Sequence, residues 1–88
     1  MKVQFRSSFL KDIKNVADKS IKQRLTSAIR NVEAAHTLND ISNIKKLRGP
    51  QNYYRLRIGD YRVALTYESE IVTFVRFLHR REIYRFLP

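Results

Sequence analysis

The stretch "YYRLRIGDYRVAL", residues 53–65, constrains the fold of this chain more than any other. Charged and apolar residues alternate on both sides of Gly59-Asp60, and a period of two is the pattern of a half-buried strand. A Gly-X pair between two such runs makes a two-residue hairpin loop of type II′, whose backbone twist matches that of paired strands. The register follows: Ile58 opposite Tyr61, Arg57 opposite Arg62, Leu56 opposite Val63 and Arg55 opposite Ala64. One face then carries Tyr54, Leu56, Ile58, Tyr61, Val63 and Leu65, and suits packing on helices. The other carries Tyr53, Arg55, Arg57, Arg62, Ala64 and Thr66. Arg57 opposite Arg62 is a like-charge pair, which costs some tenths of a kcal/mol up to about 1. A bound anion relieves that repulsion. Long stems lying on apolar sheet surface account for one such arginine; three on one face point to phosphate.

The remaining elements frame this hairpin. "MKVQF" alternates Val3 and Phe5 against Lys2 and Gln4 and reads as a short strand. Ser7 or Ser8 is expected to cap the next helix, whose apolar face holds Phe9, Ile13, Val16 and Ala17. Asp18 or Ser20 caps a second helix with Ile21, Leu25, Ala28, Ile29 and Val32 in one stripe. These helices are expected to form an antiparallel hairpin on the sheet. "HTLNDISN" is a loop with a helical turn, and Gly49-Pro50 marks a turn into the sheet. A third hairpin strand covers about 71–78. With residues 68–70 as its loop, Tyr67 faces Ile71. Ile71, Thr73, Val75 and Phe77 then point to the helices, and Val72, Phe74, Arg76, Leu78 and Arg80 join the arginine face. A one-residue slip would reverse these faces. The tail "RREIYRFLP" reads as a final turn or a short strand. The expectation is a single α+β domain over residues 1–88, β-α-α-β-β-β, with two N-terminal helices on a small, mostly antiparallel, twisted sheet.

Charge narrows the function. The 88 residues carry a formal net charge of +10 and no cysteine. Residues 1–47 hold all seven lysines and three arginines, and residues 48–88 hold eight arginines and no lysine. Lysine is a compact point charge, whereas arginine offers a planar fork that matches phosphate. A polyanionic partner is therefore expected. Without cysteine there is no disulfide framework and no Cys-based zinc site. No apolar run reaches the roughly 18 residues of a membrane span, and the start lacks the apolar stretch of a signal peptide. These features fit a cytoplasmic protein with no membrane partner.

The segments "KLRG", "YRLRIGDYRV" and "HRREIY", in order within residues 45–84, resemble the RelE/ParE superfamily of toxins from bacterial type II toxin–antitoxin systems, on the RelE side. The resemblance implies a metal-independent, cofactor-free messenger endoribonuclease acting in the ribosomal A site. There the 2′-hydroxyl attacks the adjacent phosphate and the 5′-oxygen leaves. It also implies a cognate acidic antitoxin, and operator DNA as a partner of the toxin–antitoxin complex. Arg55 and Arg57 stand at basic positions that bind phosphate and aid deprotonation. Arg62 stands at the arginine that stabilises the pentacoordinate transition state, Arg80 at the residue that protonates the leaving group, and Tyr84 at or near a tyrosine that stacks on or orients the message. Arg48, Tyr53, Arg76 and Arg81 extend the expected RNA contact, with Phe86 as a further stacking residue. Proton transfer is the least explained step, because arginine is a poor general base near neutrality. His79 and Glu82 are the nearest other candidates, and His36 is more remote. Competing readings are a ParE-like inhibitor of DNA gyrase, a non-enzymatic nucleic-acid-binding module, and an inactive toxin kept as a corepressor.

Overall fold

Strand pairing organises the chain. The computed structural model describes residues 1–49 and 52–86. In chain order these form β1 (Lys2–Phe5), α1 (Ser7–Lys14), α2 (Lys19–Ala34), a 3₁₀ turn at Leu38–Asp40, β2 (Ile44–Lys46), β3 (Tyr53–Ile58), β4 (Tyr61–Glu68), β5 (Ile71–His79) and α3 (Arg80–Ile83). The strands make one sheet in the order β1-β5-β4-β3-β2. β1 runs parallel to β5, and the other pairings are antiparallel. The expected α+β order holds, with β2 added as a short edge strand. Gly49 takes φ 142°; Pro50, the second half of the expected turn, lies outside the described residues.

The β3–β4 hairpin has the register read from its sequence, from Ile58 opposite Tyr61 to Tyr53 opposite Thr66. Gly59 supplies φ +57° while Asp60 stays at negative φ, as a type II′ loop requires. The β4–β5 hairpin corrects the expectation. Its loop is two residues, Ser69 and Glu70, both left-handed at φ 52° and 65°. Glu68, not Tyr67, therefore faces Ile71. The one-residue slip turns Val72 and Phe74 into the core, where both are fully buried, while Ile71 and Thr73 turn away. A β-bulge opposite Ala64/Leu65 then absorbs Val75. It returns Phe77 to the core beside Val63, and Arg76 and Leu78 to the arginine face beside Ala64 and Arg62. An extra residue in one strand does this because side chains alternate with period two.

The helices cover one face, α1 along β5 and α2 against β1 and β3. Neither Ser7 nor Ser8 caps α1; its N-cap is Arg6, without a side-chain cap bond. The reason lies at the sheet edge. Past the end of β1, the outer edge of β5 still needs partners. Arg6 N–H donates to Phe74 O at 2.9 Å, the Ser8 hydroxyl donates to Val75 O at 2.6 Å, and Phe77 N–H donates to Asp12 Oδ2 at 2.9 Å. α1 thus continues the ladder with side chains. Asp18 caps α2, accepting from Ser20 N–H at 2.9 Å and Ile21 N–H at 3.3 Å. Ile21, Leu25 and Val32 are buried, and Ala28 and Ile29 half-buried. Val16 is buried beyond the end of α1, and Ala17, expected on the apolar face, is exposed. Phe9 anchors the core, with its ring centroid 5.3 Å from Phe74 and 6.2 Å from Phe77.

Candidate nucleic-acid interface

Two lateral rows carry the charge on the face turned away from the helices. Residues paired across neighbouring strands share a face. Pairing therefore aligns Lys45 of β2, Arg55 of β3, Ala64 of β4 and Arg76 of β5. The next row holds Arg57, Arg62 and Leu78. The C-terminal segment roofs part of this surface. α3 packs on β4 and β5, and Ala64 and Ile83 are fully buried outside the helix-side core.

Arg62 is the centre of the cluster. It is only 7% exposed. Its Nη1 donates to Gly59 O at 2.8 Å and to Tyr61 O at 2.9 Å, so the II′ turn itself orients the guanidinium. Its Nε is buried without a partner, and so is that of Arg55. Burial pushes the Arg62 guanidinium below its ordinary pKa; Arg55, Arg57 and more weakly Arg80 push the same way, and Tyr84 opposes them. An arginine remains protonated regardless. The fold therefore holds a desolvated cation among like charges, with donor capacity unused. Such a site gains strongly from an anion that takes two hydrogen bonds.

The other expected residues divide into three groups. Arg55 is half-buried and Arg57 exposed, beside Arg62. Arg80 begins α3 rather than extending β5; its N–H donates to Asp60 O at 2.8 Å, and its side chain lies 4.0 Å from the Asp60 carboxylate. Tyr84 is 65% exposed above the cluster. These five come together. Tyr53 and Arg48 sit apart, Tyr53 half-buried at the far end of β3 and Arg48 exposed beyond β2. Arg76 is engaged in the protein itself: Nε and Nη2 donate to the two oxygens of Asp12 at 2.7 and 3.0 Å, and its guanidinium carbon lies 4.1 Å from the Phe86 ring centroid.

Histidine positions are also fixed. His79 pairs with Tyr61 on the opposite face, and its Nδ1 accepts from the N–H of exposed Arg81 at 3.2 Å, capping α3. Glu82 is exposed on α3. His36 lies on the helix side, in a groove of about 730 Å³ between α2 and β3 that Arg24 and Arg57 also line. Sequence reasoning missed Lys45 and Asp12. Lys45 became visible only with β2, a strand of three residues. Asp12 is a lone acid three residues after Phe9 on α1, the single signal that the helix meets a cation as well as the core. Among the described residues no three His, Asp or Glu side chains gather as a metal site would require, and no helix is long and apolar enough to cross a membrane.

The helix-backed sheet that carries this arginine cluster is similar in fold to solved structures of antitoxin–toxin complexes. The structure is similar to a chain of the RelB–RelE antitoxin–toxin complex from Methanococcus jannaschii, with TM-score 0.83, 35% identity, and coverage of 97% of this chain and 99% of that one. It is similar in fold to a chain of the archaeal RelE–RelB complex from Pyrococcus horikoshii, with TM-score 0.74, 20% identity, and coverage of 92% and 96%. The class is thus that of the small toxins of toxin–antitoxin systems.

Sequence comparison gives the family. The family model described as "ParE toxin of type II toxin-antitoxin system, parDE" matches residues 3–84. The chain is 39% identical to Toxin RelE3 of Methanocaldococcus jannaschii over 89 aligned positions, covering 100% of both. This chain belongs to the ParE toxin family, within the RelE/ParE superfamily of type II toxin–antitoxin toxins.

Proposed function

We propose that this toxin is a RelE-like messenger endoribonuclease acting at the ribosome. The observation that carries the reading is Arg62, buried, turn-oriented and short of hydrogen-bond acceptors, among Arg55, Arg57 and Arg80. RNA cleavage without water as nucleophile needs in-line placement of the 2′-hydroxyl and stabilisation of the charged phosphorane. The O2′–P bond forms, the P–O5′ bond breaks, and a proton moves from the 2′-hydroxyl to the 5′-oxygen. Arg62 takes the non-bridging phosphate oxygens. Arg55 and Arg57 hold the phosphate and favour the 2′-alkoxide, Arg80 attends the leaving 5′-oxygen, and Tyr84 stacks on a base. Lys45, in register with Arg55, extends the phosphate track. His79 serves by capping α3. Ribosomal RNA is the natural supplier of the remaining proton transfer.

The partner is a RelB-type acidic antitoxin, held to the +10 chain by complementary charge. The RelB–RelE complexes among the similar structures support it. The name of the matching family favours one further reading, a ParE-like poison of DNA gyrase. The 39% identical RelE toxin and the arginine set favour RNA. Purified toxin mixed with programmed ribosomes separates them. The expected products end in a 2′,3′-cyclic phosphate and a 5′-hydroxyl. Intact messenger together with gyrase-dependent DNA breaks would overturn the proposal.

A further inference from the structure

The Asp12 carboxylate is 6% exposed and takes three donors: Arg76 Nε, Arg76 Nη2 and the Phe77 N–H. This bidentate pair fixes the plane of the Arg76 guanidinium. The face of that plane meets Phe86, whose ring centroid is 4.1 Å away. Phe86 is 51% exposed and is held to the preceding turn by its N–H donating to Ile83 O at 3.0 Å. Ile83, fully buried, anchors the other side of that turn. Tyr84 stands between the two anchors and is itself 65% exposed. A stacked cation on an aromatic face is directional, and a forked arginine–carboxylate pair more so.

We propose that Asp12, Arg76 and Phe86 form a latch through which helix α1 sets the position of Tyr84 over the arginine face. The inference rests on the ribonuclease reading. Asp12 and Arg76 are positioning residues, so Arg76 acts on RNA through the tail rather than by the direct contact its place in the sequence implies. Asp12 also completes the β5 edge, a purely structural duty. The latch adds a consequence that this duty lacks: Asp12 and Phe86 are coupled through Arg76 although they share no hydrogen bond.

The test combines hydrogen exchange with single-turnover cleavage of a short messenger on programmed ribosomes. The variants are Asp12→Asn, Phe86→Ala, Phe86→Tyr and the double variant Asp12→Asn/Phe86→Ala. Asp12→Asn keeps an acceptor for Phe77 N–H but loses the ionic lock. Phe86→Ala, at a half-exposed site, leaves the fold intact and keeps the test valid if Asp12→Asn unfolds. Exchange at the Arg85 and Phe86 amides is expected to rise on the order of tenfold in Asp12→Asn and Phe86→Ala, with the β3–β4 amides unchanged. The cleavage rate is expected to fall on the order of tenfold, with KM changed less than about twofold, because misplacement costs rate before binding. Phe86→Tyr restores both, and the double variant is no slower than either single one. Tail amides unmoved in Phe86→Ala, or effects that add in the double variant, overturn the latch. Tail exchange that responds as expected in a protein that cuts no messenger upholds the latch and overturns the ribonuclease reading.

Discussion

Arg62 shows how strongly its surroundings constrain a single residue. The turn carbonyls of Gly59 and Tyr61 fix its head, while burial and three neighbouring arginines make the cation costly to keep. The like-charge pair with Arg57 adds some tenths of a kcal/mol up to about 1. Arg62→Lys keeps the charge but cannot fork between two oxygens. Its cleavage rate is expected to fall about 100-fold, the scale of losing a preorganised donor, with an unchanged circular dichroism spectrum. A fully toxic Arg62→Lys would remove Arg62 from the site. Asp18 offers a different residue-scale check. The hydrogen bond from the Ser20 hydroxyl, followed by that from the Ile21 N–H, holds its carboxyl below the ordinary range. A depressed folded pKa gives stability that is present above the unfolded pKa and lost as pH falls through the folded one. Asp18→Ala should lower the Tm at neutral pH, and the gap to the parent protein should close at acid pH. A gap that stays constant down to acid pH would show that the carboxylate charge plays no part in the cap.

Among the elements, the two hairpins differ in how plainly their sequences declare them. Gly59 can take φ +57° without strain, so "GD" announces its loop. Ser69 and Glu70 both sit in the left-handed region, at a cost of roughly 1–2 kcal/mol each for L-residues. Replacing them by Asn-Gly, the preferred type I′ pair, is expected to stabilise the protein by about 1 kcal/mol or more, read as a shift in denaturation midpoint. No gain would mean that the loop residues earn their place by a contact outside the hairpin. That same concealment is why the β5 register was not legible in sequence. "YESEI" offers no glycine to show where the strand ends, and no residue marks Val75 as the bulge. Arg76 and Leu78 reach the arginine face because slip and bulge cancel beyond Val75. The β3–β4 face, by contrast, was fully readable, and with it Arg55, Arg57 and Arg62. β2, with Lys45, was hidden by its length of three residues. The role of Arg76 was hidden because its partner Asp12 lies 64 residues away.

At the scale of the whole molecule, one side of the sheet supplies stability and the other carries charge. The helix side is sealed by Phe9, Val32, Val63, Leu65, Val72 and Phe74, all at zero exposure. Leu25, 3% exposed on α2, is expected to tolerate no charge. An unpaired buried carboxylate costs several kcal/mol, against a total stability of about 5–15 kcal/mol. Leu25→Asp should unfold the protein, and Ile29→Asp, at a half-buried site of the same helix, should do less. A Leu25→Asp variant with unchanged Tm would show that the stripe is not the core. On the charged side, eight of the eleven arginines follow residue 47, and the fold gathers Arg55, Arg57 and Arg80 around the desolvated guanidinium of Arg62. On the proposed function, this face cuts messenger on the ribosome. Inducing the toxin in cells and mapping the new 5′ ends of their messengers puts that to the test. Cuts within coding regions, in frame with codons, dependent on translation and lost in Arg62→Lys, are the predicted result. Growth arrest with no new messenger ends, or cuts indifferent to reading frame and unaltered by Arg62→Lys, would contradict it.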